Sequence, residues 1–180
     1  MREGLTPFRT FGERTAYESA DLRVRAVDVG LPGGERVMRH VVRMHRSASV
    51  VLLDGHERVL LRKRHRFMQD RWGWELPGGL VDEDEDPRDA AMRELEDQTG
   101  YLAADLAHLA SFQPAPDRVD AEHVVFMARE AESVSDAIRS DEVGRWEWLP
   151  LESVPELIAT GQIWESATLI GLLTVLAPGQ

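Results

Sequence analysis

Residues 86–100 contain a complete set of helix start and stop signals. Asp86 is a good N-cap, Pro87 suits the first helical position, and Gly100 is typical of the residue just past a helix C-terminus. The apolar residues between them fall mainly on one side of such a helix: Ala90, Ala91, Met92 and Leu95. The sequence therefore predicts an amphipathic helix that packs its apolar side on another element.

The polar side of this helix presents oxygen donors. At about 100° per residue, Glu94, Asp97 and Gln98 lie within about 60° of one another, whereas Glu96 points about 200° away from Glu94. Carboxylate and amide oxygens are ligands that suit Mg²⁺ and Mn²⁺. This face indicates a divalent-cation site, although the same spacing also suits a solvated helix with an ion pair between Arg93 and Asp97.

A glycine turn precedes the helix. Residues 74–76 predict a short strand, and Pro77-Gly78-Gly79 follows it. Glycines let the backbone carbonyls of a turn come close to a ligand or an ion. Glu85 lies between the turn and the helix, from where it can reach back to Arg93. The turn and the spacing together favour a functional site over a merely solvated surface.

The rest of the chain alternates between strand and helix patterns. Residues 1–20 are polar and irregular, and we expect them to form an arm. Alternating or continuous apolar runs predict further strands, at 22–29, 36–45, 47–53, 58–64, 102–112, 123–128 and 143–148. A turn at 31–34 makes the first two strands a hairpin, and helices are expected at 151–160 and 165–176. This order predicts an α/β (α+β) fold with helices packed on a mixed sheet.

Composition excludes several classes of protein. The 180 residues contain no cysteine, which excludes a disulfide scaffold, a thiolate nucleophile and a zinc site with cysteine ligands. The formal net charge of −11 disfavours nucleic acid and membrane partners, because an acidic surface repels both. No signal peptide and no apolar run of membrane-spanning length is visible, so we expect a cytoplasmic protein. Lys63 is the only lysine among many arginines, which suggests a GC-rich bacterial genome.

The spacing of the polar residues resembles the signature of the Nudix hydrolase family. That signature contains, at fixed intervals, a glycine, a glutamate, an Arg-Glu pair, an aliphatic residue, two adjacent glutamates, and a second glycine followed by an aliphatic residue. This sequence supplies Gly79, Glu85, Arg93, Glu94, Leu95 and Gly100 at those places. Residues 74–79, 31–34, 64–66 and 148–150 resemble the ADP-ribose pyrophosphatase branch. Where the signature has two glutamates, this chain has Asp97 and Gln98. Gln98 carries no charge, so we expect weaker metal affinity or slower turnover.

The resemblance implies a Nudix fold, a mixed β-sheet sandwiched by helices, and hydrolysis of a nucleoside diphosphate derivative. Water attacks one phosphorus while Mg²⁺ (or Mn²⁺) neutralises the diphosphate. The metal ligands implied by position are the Gly78 carbonyl, Glu94, Asp97 and, as a neutral amide oxygen, Gln98. Glu94 is also implied as a catalytic residue, and Arg93 and Glu85 would orient the cluster.

The remaining site residues are placed by the same resemblance. Glu142 is the candidate general base, and Glu122 is the second candidate and a substrate contact. Arg66 is the candidate diphosphate contact, because a guanidinium matches phosphate geometry. Trp74 or Trp72 would stack on a base, with core packing as the alternative.

The expected substrate is ADP-ribose or another nucleotide sugar, cleaved to a nucleoside monophosphate and a phosphorylated product. The alternative is a catalytically impaired module that binds a nucleotide as a sensor or regulator, which the uncharged Gln98 favours. We expect residues 1–45 to form an arm and β-hairpin that build a homodimer, and residues 46–180 to form the Nudix domain.

Overall fold

The computed structural model describes residues 6–20, 22–134 and 144–177. The strands are, in chain order, β1 (Arg9–Glu18), β2 (Leu22–Gly30), β3 (Arg36–Met44), β4 (Ser47–Leu52), β5 (Arg58–Arg66), β6 (Arg71–Glu75), β7 (Gly78–Leu80), β8 (Tyr101–Ala103), β9 (Ala107–Phe112), β10 (Val119–Asp120), β11 (His123–Ala128), β12 (Ala131–Ser133) and β13 (Gly144–Pro150). The helices are α1 (Pro87–Thr99), α2 (Val154–Ala159) and α3 (Ser166–Leu176), and a short 3₁₀ helix (Leu151–Ser153) precedes α2.

The first of two compact units contains the described residues up to His45 together with Gln113–Ala121. Its sheet has the order β1-β2-β3-β10. β2 and β3 pair antiparallel through the turn after Gly30, which confirms the predicted hairpin. β10 adds in parallel to β3.

Our expectation of an irregular arm is wrong for β1. Residues 9–18 pair antiparallel with β2, with register shifts between Thr10 and Gly12 and between Thr15 and Tyr17. Every side chain of β1 is exposed. The strand is held by backbone hydrogen bonds and by ion pairs with β2, and it buries no apolar face within the chain, so no alternating pattern marks it in the sequence.

The second unit contains Arg46–Phe112 and the described residues from Glu122 onward. Its mixed sheet has the order β7-β4-β11-β9, with β4 and β11 parallel. An antiparallel sheet, β13-β5-β6, and a small pair, β12-β8, complete it. The predicted mixed sheet with helices is therefore confirmed, although the strands divide into several sheets.

Helices cover both faces of this mixed sheet. Side chains of β4 alternate between two cores: Val50 and Leu52 pack in the same core as Leu95 of α1, whereas Val51 packs in the core that contains Leu172 of α3. This alternation is the period-two pattern of a strand buried on both faces. It fixes α1 on the face opposite to α3.

The helix signals of α1 behave as predicted. The Asp86 carboxylate accepts a hydrogen bond from the Arg88 N–H at 2.8 Å. Gly100 has φ 70°, and its N–H donates to the Glu96 carbonyl at 2.8 Å, closing the last turn. The apolar side, including Leu95, is buried in the core.

Strand ends and very short strands depart from the sequence pattern. β5 runs on to Arg66, the single strand expected at 102–112 is two strands, and the strand expected at 74–76 is β6, which ends at Glu75. β7, β10 and β12 have only two or three residues, too few to show a periodicity. No helix in the described residues is long and apolar enough to cross a membrane.

Candidate active site

The glycine turn lies between β4 and α1. In the antiparallel pairing of β7 with β4, Gly78 faces Ser49 and Gly79 faces Ala48. A Cβ atom on Gly78 would collide with the Ala48 carbonyl, and one on Gly79 would collide with the Glu94 carboxylate. Glycine at position 78 therefore lets the turn approach the strand backbone this closely, and a side chain at position 79 would displace the Glu94 carboxylate.

Arg93 joins two carboxylates from different parts of the chain. Its Nε and Nη2 donate to the two carboxylate oxygens of Glu85, at 2.9 and 2.8 Å. Its Nη1 donates to Oε1 of Glu94 at 2.6 Å. The bidentate pair with Glu85 fixes the plane of the guanidinium, and that plane in turn fixes one oxygen of Glu94. This is the orienting role expected for Arg93 and Glu85, whose effect on catalysis stays a prediction.

The charges in this network stabilise one another. The hydrogen bond from Arg93 holds the pKa of Glu85 below its ordinary value of 4.5. The hydrogen bonds to Glu85 and then to Glu94 raise the pKa of Arg93. Both residues stay charged throughout the neutral range, so the network is a permanent feature of the site.

Gln98 lies against the same carboxylate from the other side. Its Nε2 donates to Oε2 of Glu94 at 2.7 Å and to the Gly78 carbonyl at 2.9 Å. The Gly78 N–H points towards Oε1 of Gln98 at 3.5 Å. The structure therefore brings together three of the four residues expected to hold metal, with the nitrogen of Gln98 between the oxygens of the other two.

Asp97 is not part of this group of contacts. Its side chain is exposed, and in the part of the chain that the structure describes it forms no ion pair. The alternative pairing of Arg93 with Asp97 is wrong, because Glu85 and Glu94 take the guanidinium instead. The sequence could not decide this, since Glu85 lies outside the helix and its position depends on the preceding loop.

Arg66 is held by a buried glutamate. Its Nε and Nη2 donate to the two oxygens of Glu75, both at 2.8 Å, and Glu75 is 5% exposed. This hydrogen bonding raises the pKa of Arg66. No hydrogen bond within the described residues uses Nη1 of Arg66, so the diphosphate contact expected for Arg66 stays a prediction, made with the Nε–Nη2 edge of the guanidinium already bound to Glu75.

Trp74 and Trp72 differ sharply in exposure. Trp74 is 8% exposed within a core cluster, and the Lys63 ammonium lies 4.9 Å from its ring centroid. Trp72 is 54% exposed. Core packing thus accounts for Trp74, whose role in base stacking is untested.

Of the two acids expected as the general base, only Glu122 lies in the described residues, and no hydrogen bond or ion pair there joins it to Arg93. Glu122 is half-buried, and its carbonyl accepts a hydrogen bond from the Ser47 N–H at 3.0 Å. Glu142 lies outside the described residues. Their expected roles in base catalysis and substrate binding stay predictions.

Sequence reasoning did not single out Glu75, although it is the partner that fixes Arg66. The sequence carried no signal, because an acid between the apolar residues Trp74 and Leu76 in a strand is expected on the opposite, solvent-facing side. The structure buries Glu75, and a buried carboxylate needs a cationic or hydrogen-bonding partner, here Arg66.

Comparison with known proteins decides the family. The model of the NUDIX domain matches residues 43–169, more than half of the chain. The chain belongs to the Nudix family. A Streptomyces rubellomurinus protein named CMP-5'-(N-acetyl-N-hydroxy-3-aminopropyl)phosphonate hydrolase is 44% identical to this Nudix hydrolase over 168 residues, covering 93% of this chain and 82% of that protein.

More distant relatives agree with this family. The ADP-ribose pyrophosphatase of Mycobacterium tuberculosis is 28% identical, covering 94% of this chain and 84% of its own. The ADP-ribose pyrophosphatase of Bacillus subtilis is 25% identical, covering 89% of this chain and 88% of its own. A solved structure described as an ADP compounds hydrolase has the same fold, with a TM-score of 0.81 at 20% identity over 97% of this chain and 95% of that chain. This Nudix hydrolase is therefore an enzyme of the ADP-ribose pyrophosphatase-like group.

Nudix hydrolases need a divalent cation, and the donors at this site fit one. Gly78 offers a carbonyl, Glu94 a carboxylate and Gln98 an amide oxygen if its amide turns, and oxygen donors of this kind suit Mg²⁺. The described residues contain no group of three or more His, Asp or Glu side chains placed to hold a metal. Substrate oxygens or water would therefore have to complete the coordination, as Mg²⁺ commonly requires.

Proposed function

We propose that this Nudix hydrolase is a metal-dependent pyrophosphohydrolase that acts on ADP-ribose or another nucleotide sugar. The observation that carries this proposal is the Glu85–Arg93–Glu94 network held against the Gly78–Gly79 turn. In the reaction, water adds to one phosphorus of the diphosphate and the bridging P–O bond breaks. The products are a nucleoside monophosphate and a phosphorylated second half.

The chain's own residues position the reaction. The Gly78 carbonyl, Glu94 and Gln98 would hold Mg²⁺ or Mn²⁺, with Asp97 as a fourth ligand if its exposed side chain turns towards them. When bound, the cation would supply positive charge that offsets the diphosphate and makes water a better nucleophile. Arg93 keeps Glu94 in one orientation, and Glu85 keeps Arg93 in place.

Substrate charge and the attacking water need further groups. The free Nη1 of Arg66 would donate to a diphosphate oxygen, while Glu75 prevents the guanidinium from turning away. Glu142 would take the proton of the attacking water, with Glu122 as the second candidate. Trp74 or the exposed Trp72 would contact the base.

A second substrate class is favoured by one specific observation. The relative at 44% identity is named as a hydrolase of a CMP-linked phosphonate, whereas the ADP-ribose pyrophosphatases are at 25% and 28%. Such a compound joins a nucleoside monophosphate to a second phosphorus through an anhydride bond, so the same attack by water would cleave it. We therefore propose cytidine phosphonate anhydrides as the second candidate substrates.

The test is hydrolysis of a panel with Mg²⁺ and with Mn²⁺, scored by the nucleoside monophosphate released. The panel contains ADP-ribose, other nucleotide sugars and a CMP-linked phosphonate. Metal-dependent release from a nucleotide sugar supports the first proposal, and selective release of CMP supports the second. A silent panel in which one compound still raises the melting temperature would favour the impaired nucleotide-binding module.

We also propose that residues 1–45 contribute to a homodimer. β1 exposes every side chain, and the large apolar residues Phe11, Tyr17, Met38 and Met44 of the first unit are all exposed. Exposed apolar side chains gathered on one small sheet are typical of a protein interface. A strand with one unpaired edge can also extend its sheet through a second copy.

A further inference from the structure

Gln98 presents its nitrogen, not its oxygen, to the place where the site's oxygens converge. Both amide hydrogens are used, one by Oε2 of Glu94 at 2.7 Å and the other by the Gly78 carbonyl at 2.9 Å. The reverse orientation would put Oε1 against two acceptor oxygens and leave no donor between them. The hydrogen bonds therefore fix which way the amide points.

This arrangement and cation binding exclude each other. A cation needs the oxygens of Gly78 and Glu94 as ligands, but the Nε2 of Gln98 lies between these oxygens and points its hydrogens at both of them. One of these hydrogen bonds goes to a carboxylate and is of the stronger, charge-assisted kind. The other oxygen of Glu94 accepts a hydrogen bond from Arg93 at 2.6 Å. The positive charge of this guanidinium weakens the attraction of the carboxylate for a cation.

We propose that Gln98 keeps a divalent cation out of the free protein, so that the cation enters only together with the diphosphate of the substrate. The Gln98 amide then turns and presents Oε1. The negative charge that the lost glutamate would have supplied comes instead from the diphosphate oxygens. This inference deepens the proposed function and rests on it, since it assumes a metal-dependent reaction at this site.

The first experiment compares the Mn²⁺ affinity of the unsubstituted protein with that of the Gln98→Ala variant. Mn²⁺ binding to the free protein is measured by the loss of the electron paramagnetic resonance signal of free Mn²⁺. Gln98→Ala frees the oxygens of Gly78 and Glu94 without adding charge, so we expect it to bind Mn²⁺ about tenfold more tightly than the unsubstituted protein. If Gln98 were simply a weak ligand, the same substitution would weaken binding, which would overturn the proposal.

Two further variants serve as references. Gln98→Glu adds a charge as well as removing the amide, and we expect it to bind Mn²⁺ most tightly of all. Glu96→Gln removes an exposed charge elsewhere on the same helix and should leave Mn²⁺ binding unchanged. Should Gln98→Ala fail to fold by circular dichroism, Gln98→Met keeps the side-chain length and gives the same comparison.

The second half of the proposal is tested with α,β-methylene-ADP, a diphosphate that cannot be cleaved at its bridge. We expect the mixture of unsubstituted protein, Mn²⁺ and analogue to relax water protons faster than either of two reference mixtures. One reference contains the protein and Mn²⁺ without the analogue, and the other contains the analogue and Mn²⁺ without the protein. Tight binding of Mn²⁺ alone would overturn the inference and leave the proposed function standing. No binding in any variant, with or without the analogue, would overturn both.

Discussion

At the scale of single residues, Arg93 connects the loop before α1 to the carboxylate of Glu94. One guanidinium holds two acids, and lysine could not replace it because an ammonium lacks the planar fork. The guanidinium donates to Glu85 and Glu94, so Arg93 acts through Glu94 and is a positioning residue. Its removal should disturb the reaction far more than the fold.

We predict that Arg93→Gln lowers kcat by about 10- to 100-fold and raises the Mg²⁺ concentration needed for half-maximal rate. The reason is that Glu94 loses the contact that orients it. The matched control is Arg88→Gln on the same helix, because Arg88 pairs with Asp105 outside this network. Equal rates for Arg93→Gln and Arg88→Gln, measured by steady-state kinetics across Mg²⁺ concentrations, would contradict the orienting role.

Glu85 gives the site a pH dependence of stability with a defined sign. Its hydrogen bond to Arg93 lowers the pKa of the folded-state carboxyl below 4.5. A depressed folded-state pKa stabilises the protein above the unfolded-state value, and that stabilisation is lost as the pH falls through the folded-state value. The contribution of Glu85 to the free energy of unfolding is therefore lost at pH values below about 4.5.

We predict that Glu85→Gln unfolds at a lower urea concentration than the unsubstituted protein at pH 7, and that the difference shrinks as the pH falls below 4.5. Comparing the two proteins at each pH cancels the titration of the other carboxyl groups. Glu83→Gln, an exposed acid of the same loop, is the control and should show no such convergence. A constant difference between Glu85→Gln and the unsubstituted protein down to pH 3 would rule out this linkage.

At the scale of elements, α1 is positioned by its cap as well as by its buried side. Asp86 accepts the Arg88 N–H, and Gly100 closes the other end in the left-handed conformation. The helix must begin at the right residue, because Glu94 and Gln98 meet the Gly78–Gly79 turn only in this register. The cap therefore contributes to the site as well as to stability.

We predict that Asp86→Ala lowers the free energy of unfolding by about 1 kcal/mol, the usual cost of losing an N-cap. Asp84→Ala removes the same charge from an exposed residue two positions earlier and is the matched control. Urea unfolding followed by circular dichroism measures both. Identical unfolding curves for the two variants would mean that the Asp86 cap contributes no stability.

At the scale of the whole molecule, the first unit exposes several large apolar side chains that a soluble monomer would be expected to bury. Tyr17 and Met38 are 58% and 52% exposed, and both lie in strands of the same sheet. A monomer would leave them in water, whereas a second copy would cover them. The mass in solution therefore tests the expected homodimer.

We predict that the protein sediments at about twice its 20.3 kDa chain mass and that the double variant Tyr17→Glu, Met38→Glu sediments as a monomer. Charged side chains at these positions would be costly to bury in an interface. Leu173→Glu, at an exposed position of α3 in the other unit, is the control and should leave the mass unchanged. A monomeric unsubstituted protein at micromolar concentration would end the homodimer proposal.

Much of the second unit is predictable because its signals are local. The caps of α1, the apolar side around Leu95 and the alternation of β4 depend on residues that are neighbours in the chain. β1 is different, since all its residues are exposed and it is held to β2 by backbone hydrogen bonds and by ion pairs such as Arg25–Glu13 and Arg23–Glu18, not by a buried apolar face. A strand of that kind has no pattern for a sequence to display.

The family, the position of α1 and the oxygen donors of the site could all be predicted from the sequence, because fixed spacing along one helix places Glu94 and Gln98 side by side. Which of their atoms face the site became known only from the folded chain. Arg93 pairs with Glu85 and not with Asp97, and the Nε2 of Gln98 donates to the Gly78 carbonyl, twenty positions away in the chain. Each pairing depends on all the donors and acceptors that the fold brings close to one another. Spacing along the chain does not reveal which of them will be neighbours.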